Sequence, residues 1–429
     1  MLDMGFRDDI DAISNVLPSP PFRQTFFFSA TINSAVQQVA KQIMGTDHEY
    51  INTVPEDASP VHAHIPQYHT VLSSASEQIP HMLRLIAHDQ LTNPGKSKVI
   101  LFFQTTKMTQ LFATFIRELS KAVLPAGKGT AVYELHSKLA MPRRTSTSRA
   151  FRMSKSGADI LVTSDVSARG VDYPGVTRVI QVGVPVSTEQ YIHRVGRTGR
   201  KNGSAGRGDL ILSPWETNFL SWKLRGIPMR PVTVEKLEKE VMELSEKHDS
   251  DPKEFYAGAG MNKYTQYLSG FSAPIVPRLQ DVEKEVTELL SMVEEEAIEE
   301  TFVSLLGFYS THGQDVGSKS NLLDGCRQWA VDACGLQQPP SLSNSILFKL
   351  GYTDEDGAAR TPRRSNFGLK KRDSGRSFSG RPSTEYSPQN ARRRPHWESR
   401  GNVNSRTKDN DRFSQGRGYG RSSFGMRGR

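Results

Sequence analysis

The chain has 429 residues, too many for one ordinary domain, so we expect two or three folded units and a disordered remainder. It carries 55 Lys and Arg against 46 Asp and Glu, and residues 361–429 alone hold 18 basic and 5 acidic residues, so a polyanionic partner is expected at this tail. Two cysteines exclude a disulfide scaffold, and the longest apolar runs fall short of the 18 residues of a membrane span, so no membrane partner is expected.

The first part of the chain predicts the end of one α/β unit and a linker. Residues 24–28 form a short apolar run that predicts a buried strand, and residues 33–44 have the apolar periodicity of a helix. Residues 53–66 contain three prolines and two histidines, a composition typical of a linker between globular units.

Beyond the linker, strands are predicted to alternate with helices. Apolar runs predict strands at residues 99–103, 131–135, 160–163, 179–182 and 210–212, with helices at residues 108–119, 143–153 and 188–195. This alternation favours βαβ units around a mainly parallel sheet, in which ligands bind at the carboxyl ends of the strands.

The pattern changes after residue 230. Val234, Leu237, Val241 and Leu244 are spaced as one helical face, and a similar face runs from Leu279 to Val293. A small helical bundle packed on the α/β unit is favoured over an isolated coiled coil, which would need more heptads. After residue 357 the composition of Arg, Gly, Ser and Asn predicts disorder.

Two polar segments carry the strongest chemical signal. Residues 191–200 read Tyr-Ile-His-Arg-Val-Gly-Arg-Thr-Gly-Arg, and guanidinium groups offer forked donors that match phosphate oxygens. Residues 164–172 read Ser-Asp-Val-Ser-Ala-Arg-Gly-Val-Asp and follow a predicted strand, which places hydroxyl and carboxylate groups at a sheet end. This second segment weakens the alternative that the arginines form only a solvated basic turn.

Together these segments resemble the motifs of DEAD-box RNA helicases. Ser-Ala-Thr at 29–31, Phe-Phe-Gln-Thr at 102–105, residues 164–172 and residues 193–200 stand in the order of the family's motifs III, IV, V and VI. The opening Met-Leu-Asp-Met-Gly-Phe resembles the segment after the family's Asp-Glu-Ala-Asp, and the resemblance extends to about residue 225. It implies an α/β fold, a RecA-like parallel-sheet lobe with helices on both faces, with ATP and Mg as cofactor and RNA as partner.

The resemblance also implies roles for individual residues. Arg197 and Arg200 match arginines that reach the γ-phosphate, Asp172 matches the acid that holds the ribose, and His193 matches a catalytic relay. Ser29 and Thr31 match the motif that couples hydrolysis to lobe closure. The positions that grip the RNA backbone correspond to Gln104, Thr105, Arg144, Thr163 and Gly170. Met141 departs from the family, which often has Gln at that position.

The phosphate loop and the Asp-Glu-Ala-Asp motif do not occur in this sequence, which favours an N-terminally truncated chain that is inactive alone. The main ATP and Mg motifs would lie in the missing part. The predicted division is a remnant of lobe 1 at 1–55, a linker at 56–75, lobe 2 at 76–228, a helical extension at 229–356 and an RNA-binding tail at 357–429.

The function predicted on this resemblance is an ATP-dependent RNA helicase that remodels or unwinds short RNA duplexes. The helical extension and basic tail resemble those of fungal mitochondrial members that act as RNA chaperones, which implies the mitochondrial matrix. A non-enzymatic RNA-binding protein built from lobe 2 and the tail is the alternative. His62, His64 and His69 are interpreted as exposed linker histidines, so no metal site is predicted, and nothing indicates an oligomer.

Overall fold

The computed structural model describes ten stretches of the chain between residues 7 and 352. These are residues 7–19, 22–28, 34–45, 47–52, 64–167, 171–199, 206–261, 270–271, 273–313 and 316–352. The predictions made for Ser29, Thr31, Gly170, Arg200 and the basic tail lie outside the described residues.

Seven parallel strands form one sheet, in the order β3-β4-β2-β5-β6-β1-β7. The predicted fold class, a parallel sheet with helices, is confirmed. The strands are β1 (Gln67–Val71), β2 (Ser97–Phe102), β3 (Ala131–Leu135), β4 (Ala158–Thr163), β5 (Arg178–Val182), β6 (Arg207–Leu212) and β7 (Met229–Pro231).

Helices precede, alternate with and follow the strands. Those up to the last strand are α1 (Arg7–Val16), α2 (Ser34–Met44), α3 (Gln78–Thr92), α4 (Thr106–Val123), α5 (Met141–Met153), α6 (Thr188–Val195) and α7 (Asn218–Trp222). After it come α8 (Val234–Ser250), α9 (Pro252–Gly258), α10 (Val276–Gln280), α11 (Val282–Leu290), α12 (Glu295–His312), α13 (Lys319–Asp332) and α14 (Asn344–Lys349). Within the described part of the chain, no helix has both the length and the apolar character that a bilayer crossing requires.

Both faces of the sheet are covered, which explains the continuous apolar runs of its central strands. Along β2, Val99 and Leu101 belong to the core beneath α3 and α4, whereas Ile100 and Phe102 belong to a second core with Phe151 of α5. Successive side chains of a strand point to opposite faces, so a strand buried on both faces has no polar alternation.

Two sequence-based boundaries and one predicted strand need correction. The predicted linker at 56–75 contains β1, which is paired on both sides by β6 and β7, and β7 itself lies beyond the predicted end of lobe 2 at residue 228. His69 is consequently a half-buried strand residue rather than an exposed linker residue, and burial lowers its pKa. Residues 24–28 are irregular and Phe28 is 93% exposed, because no described strand pairs with them.

The helices after β7 form a bundle that shares the lobe's core, as predicted. Helix α8 packs on α3, and α12 packs on α4 and α13. Arg278 of α10 donates from Nε to the Ala122 carbonyl oxygen (2.8 Å) and from Nη2 to that of Lys121 (2.9 Å). A guanidinium thus satisfies carbonyl groups at the C-terminal end of α4, where cations are favoured.

Candidate functional site

Polar segments follow the carboxyl ends of β2, β4 and β5, at one edge of the sheet. Gln104 and Thr105 follow β2, residues 164–167 follow β4, and Gly183 follows β5. Helix α6 begins near this edge because Ser187 Oγ accepts from the Gln190 amide (3.2 Å), an N-cap that fixes the start of the helix. The structure therefore brings two of the predicted motifs, residues 102–105 and the start of residues 164–172, to the edge where parallel sheets bind ligands.

Arg197 is held against the segment that carries Asp172. Its Nε donates to the carbonyl oxygen of His193 (3.1 Å), and its Nη1 donates to the carbonyl oxygen of Val171 (2.5 Å). Asp172, the next residue after Val171, is exposed, and Arg197 is half-buried. A guanidinium and a carboxylate thus lie on adjoining segments, and their roles towards phosphate and ribose stay predictions.

Arg194, the first arginine of the segment 191–200, has a structural role. Its side chain is fully buried, and Nε and Nη2 lie 2.8 and 2.7 Å from Oδ1 of Asp165. Its guanidinium also lies over the Phe102 ring, 5.3 Å from the centroid. The sequence indicates that Arg194, unlike Arg197, is buried. Arg194 lies three residues after Tyr191 and directly before Val195, and these two apolar residues are buried on one face of α6.

Gly199 follows Arg194 and Arg197 in what we call the arginine turn (residues 194–199), and it packs against the segment that leads into β1. Its φ is +64°, and a Cβ at this position would lie 2.8 Å from Cγ1 of the buried Ile65. His64, which is exposed as predicted, has Nε2 2.9 Å from the Gly199 carbonyl oxygen. Glycine is required here because a side chain would be strained in backbone conformation and would collide with Ile65.

Three of the predicted RNA-binding side chains are engaged within the protein. Thr163 is fully buried, and its hydroxyl donates to the Leu135 carbonyl oxygen (2.8 Å). Thr105 Oγ1 accepts from the Met108 amide (3.2 Å) and caps α4, while the amide of the buried Gln104 points towards Glu216. Their role as RNA contacts stays a prediction, and their observed role is to fix the segments that follow β2 and β4.

Arg144 lies apart from these three, on α5. Together with Arg149 and Arg152 it lines an open cavity of 490 Å³ whose apolar wall includes Tyr173. Met141, at the position where the family often has Gln, is 65% exposed on the same cavity.

The sequence did not reveal the buried carboxylate at this edge, Glu216. Four donors converge on it: the amides of Val184 and Ser213, Nε2 of Gln104, and Oη of Tyr309 in α12. Burial raises the pKa of Glu216, although these hydrogen bonds oppose the rise, and burial beside the carboxylate raises the pKa of Tyr309. A Ser-x-x-Glu capping box at 213–216 was a readable signal for the Ser213 contact alone.

Metal-binding side chains are not clustered in the part of the chain that the structure describes. No group of three or more His, Cys, Asp or Glu in that part is placed to hold an ion. Both cysteines, Cys326 and Cys334, are buried thiols whose pKa is raised by burial.

The sheet order and the polar segments at its carboxyl edge define a RecA-like helicase domain, and a model of the helicase conserved C-terminal domain matches residues 78–202. DEAD-box ATP-dependent RNA helicase 26 of Arabidopsis thaliana is 33% identical over 357 residues, 83% of this chain and 35% of that protein. The mitochondrial ATP-dependent RNA helicase mss116 of Aspergillus fumigatus is 31% identical over 362 residues, 82% of this chain and 50% of that protein.

The chain belongs to the DEAD-box family of superfamily 2 helicases. It spans half or less of the length of those two curated relatives. The solved structure of Mss116p bound to ssRNA and AMP-PNP is similar in fold, with a TM-score of 0.59 at 24% identity over 81% of this chain and 60% of that one.

Proposed function

We propose that this chain provides the second RecA-like lobe of an ATP-dependent RNA helicase that remodels short RNA duplexes. The observation that carries the proposal is the hydrogen bond from Arg197 to the Val171 carbonyl oxygen, next to Asp172 (2.5 Å). It orients the guanidinium of Arg197 beside the residue that the family resemblance assigns to the ribose. A donor oriented before the reaction stabilises transition-state charge without having to reorganise.

In this proposal each residue has a separate task. Arg197 and Arg200 bind the charge that develops on the transferred phosphoryl group, Asp172 accepts from the ribose hydroxyls, and the carbonyl of His193 orients Arg197. Bound ATP with Mg²⁺ supplies the phosphoryl group and partial neutralisation of its charge. The first lobe of the family carries the phosphate loop and the magnesium acid, and neither motif occurs in these 429 residues.

RNA is the proposed partner, on the support of the relatives' names and of the ssRNA bound in the Mss116p structure. We infer general RNA-chaperone activity in the mitochondrial matrix from the similarity to the mitochondrial mss116 protein. The basic tail at 357–429 is proposed to tether RNA through its arginines, with aromatic residues stacking on unpaired bases.

The test is a fusion of a family first lobe, carrying its phosphate loop, to the N-terminus of this chain. The fusion should show RNA-stimulated ATP hydrolysis, whereas the chain alone should show none. Arg197→Ala should reduce turnover by about 10³-fold or more while RNA affinity changes little, because arginine fingers act on transition-state charge. Arg197→Lys should restore little, since an ammonium lacks the fork.

Arg225→Ala is the matched control, because Arg225 is an exposed arginine outside the site. Equal losses of turnover and RNA affinity in Arg197→Ala would make the turn an RNA-backbone contact. A fusion that binds RNA and nucleotide without any hydrolysis would favour the non-enzymatic RNA-binding protein.

A further inference from the structure

The carboxylate of Glu216 does more than cap its own turn. In the capping box at 213–216, Oε2 of Glu216 accepts from the Ser213 amide (2.8 Å). A second capping box at 74–77 shows the ordinary arrangement, in which Oε2 of Glu77 accepts from the amides of Ser73 and Ser74 near the surface. Glu216 differs because it is only 1% exposed and its second oxygen is also engaged.

Oε1 of Glu216 joins three distant segments. It accepts from Oη of Tyr309 (2.5 Å), from the amide of Val184 (2.9 Å) and from Nε2 of Gln104 (3.1 Å). These donors come from α12 of the helical extension, from the segment after β5 and from the segment after β2. We call these residues, with Ser213, the Glu216 cluster.

The side chain of Gln104 is also confined sterically. Gly183 has a φ of +76°, and a Cβ there would lie 2.5 Å from Cδ of Gln104. Gln104 Nε2 lies 3.1 Å from Oη of Tyr309 as well as from the carboxylate. The amide therefore lies between a glycine that leaves it room and three oxygens that fix its direction, the third being the Val184 carbonyl (3.4 Å).

A buried carboxylate is tolerated only while its lone pairs are filled, so the four donors are interdependent. Loss of the Tyr309 hydroxyl would leave part of the charge unsatisfied, and the Gln104 amide, the other side-chain donor to Oε1, would be the group that shifts to compensate. A shift of Gln104 would move Thr105, its chain neighbour and the N-cap of α4. The extension is thus connected to the end of β2 through one carboxylate.

We propose that Glu216 and Tyr309 are positioning residues that hold the Gln104–Thr105 segment in its RNA-binding geometry, so that the helical extension sets the RNA affinity of the lobe. Gln104 then acts through the position of this segment and makes no direct contact with RNA. This inference rests on the proposed function and on the prediction from the resemblance that residues 104 and 105 lie beside the RNA backbone.

The test is a double-mutant cycle on the full chain, with affinity for a fluorescent single-stranded RNA measured by anisotropy. The salt concentration is chosen to suppress long-range electrostatic binding. Tyr309→Phe and Gln104→Ala should each weaken binding by on the order of tenfold, and the double variant should be no weaker than either single one. Tyr352→Phe is the matched control, because its hydroxyl donates to the Leu306 carbonyl oxygen and does not reach Glu216.

Hydrogen exchange supplies a readout that does not depend on RNA. Exchange of the amides at 105–109 should accelerate in Tyr309→Phe and stay unchanged in Tyr352→Phe. Glu216→Gln keeps the shape of the side chain but replaces one acceptor oxygen by an NH2 group that faces a donor, so its effect should be at least as large as that of Tyr309→Phe in both measurements.

Losses that multiply in the double variant would mean that Gln104 contacts RNA directly, and would overturn the inference. So would unchanged exchange and affinity in Tyr309→Phe. If the unmodified chain failed to bind the RNA, the proposed function would fail instead, and the exchange data would still decide whether Tyr309 positions this segment.

Discussion

His81 is a buried histidine whose titration should make the stability of this lobe depend on pH. It lies in α3 with no exposed surface, and its Nε2 is 3.0 Å from Oγ1 of Thr70. The pKa of His81 is lowered from 6.5 to about 4, chiefly by burial; the nearby charges of Arg84, Arg207 and Arg178 contribute to the decrease, whereas Asp209 opposes it.

The sign follows from the lowered pKa in the folded state. Above pH 6.5 His81 is neutral in both the folded and unfolded chain, and its full contribution to stability is present. As the pH falls from 6.5 towards 4, the unfolded chain takes up the proton and the folded chain resists it, so stability is lost. With these two pKa values the loss from His81 between about pH 7.5 and pH 5 is about 2 kcal/mol.

Urea unfolding at the two pH values, followed by tryptophan fluorescence, measures this loss. Trp329 is a suitable reporter because it is buried and its Nε1 donates to Oε1 of Gln78, also in α3 (2.8 Å). His81→Gln removes the titrating group and keeps an amide able to reach Thr70. Its free energy of unfolding should fall by about 2 kcal/mol less than that of the unmodified chain as the pH drops.

Thr70→Val is the control, since it removes the hydrogen-bond partner and leaves the imidazole in place. It should lower stability at both pH values by about 1 kcal/mol and retain the pH-dependent loss of the unmodified chain. Equal pH-dependent losses in His81→Gln and the unmodified chain would refute the reasoning, because another group would then bind the proton.

Two further predictions concern the arginine turn and the tail. Arg194→Leu should lower the free energy of unfolding by about 2 kcal/mol, because Asp165 loses a charged partner but stays partly hydrated. A double-mutant cycle with Asp165→Asn, measured by urea unfolding, should give the coupling energy of the pair. Deleting residues 357–429 should weaken RNA binding uniformly across sequences and flatten its salt dependence by roughly 0.7 in log–log slope per lost phosphate contact. An unchanged slope would rule out tethering by the tail.

Where local sequence chemistry determined an element, the sequence predicted it well. Helix α6 has the predicted bounds of 188 and 195, because Ser187 caps its start and Gly196 follows its end. The central strands were visible as continuous apolar runs, since both faces of the sheet are covered. Strand β1 was missed because it reads Gln-Tyr-His-Thr-Val, and its polar Gln67 is buried with a distant partner, the Tyr191 hydroxyl, which donates to Oε1 (2.9 Å).

The site likewise has features that the sequence predicted and features that it did not. The order of the motifs predicted that residues 102–105 and 164–167 follow strands at the carboxyl edge of the sheet, and Arg197 does hydrogen-bond to the segment that carries Asp172. The partners of Gln104 could not be read, because Glu216 and Tyr309 are 112 and 205 residues away in sequence and no local pattern records such contacts. Whether a polar residue of a motif faces outwards or into the protein depends on these distant partners.

The three-residue strand β7 determines how this lobe can be separated from the rest of the chain. It lies along the outer side of β1, and α8 continues from it across α3. A fragment ending at residue 228 would leave β1 as an edge strand with unpaired backbone groups, which is a template for pairing between molecules. It would also uncover the apolar surface of α3 that Leu237 and Val241 bury. The lobe should therefore be expressed together with β7 and α8. Without them, an excised lobe is expected to self-associate through β1 and the uncovered surface of α3.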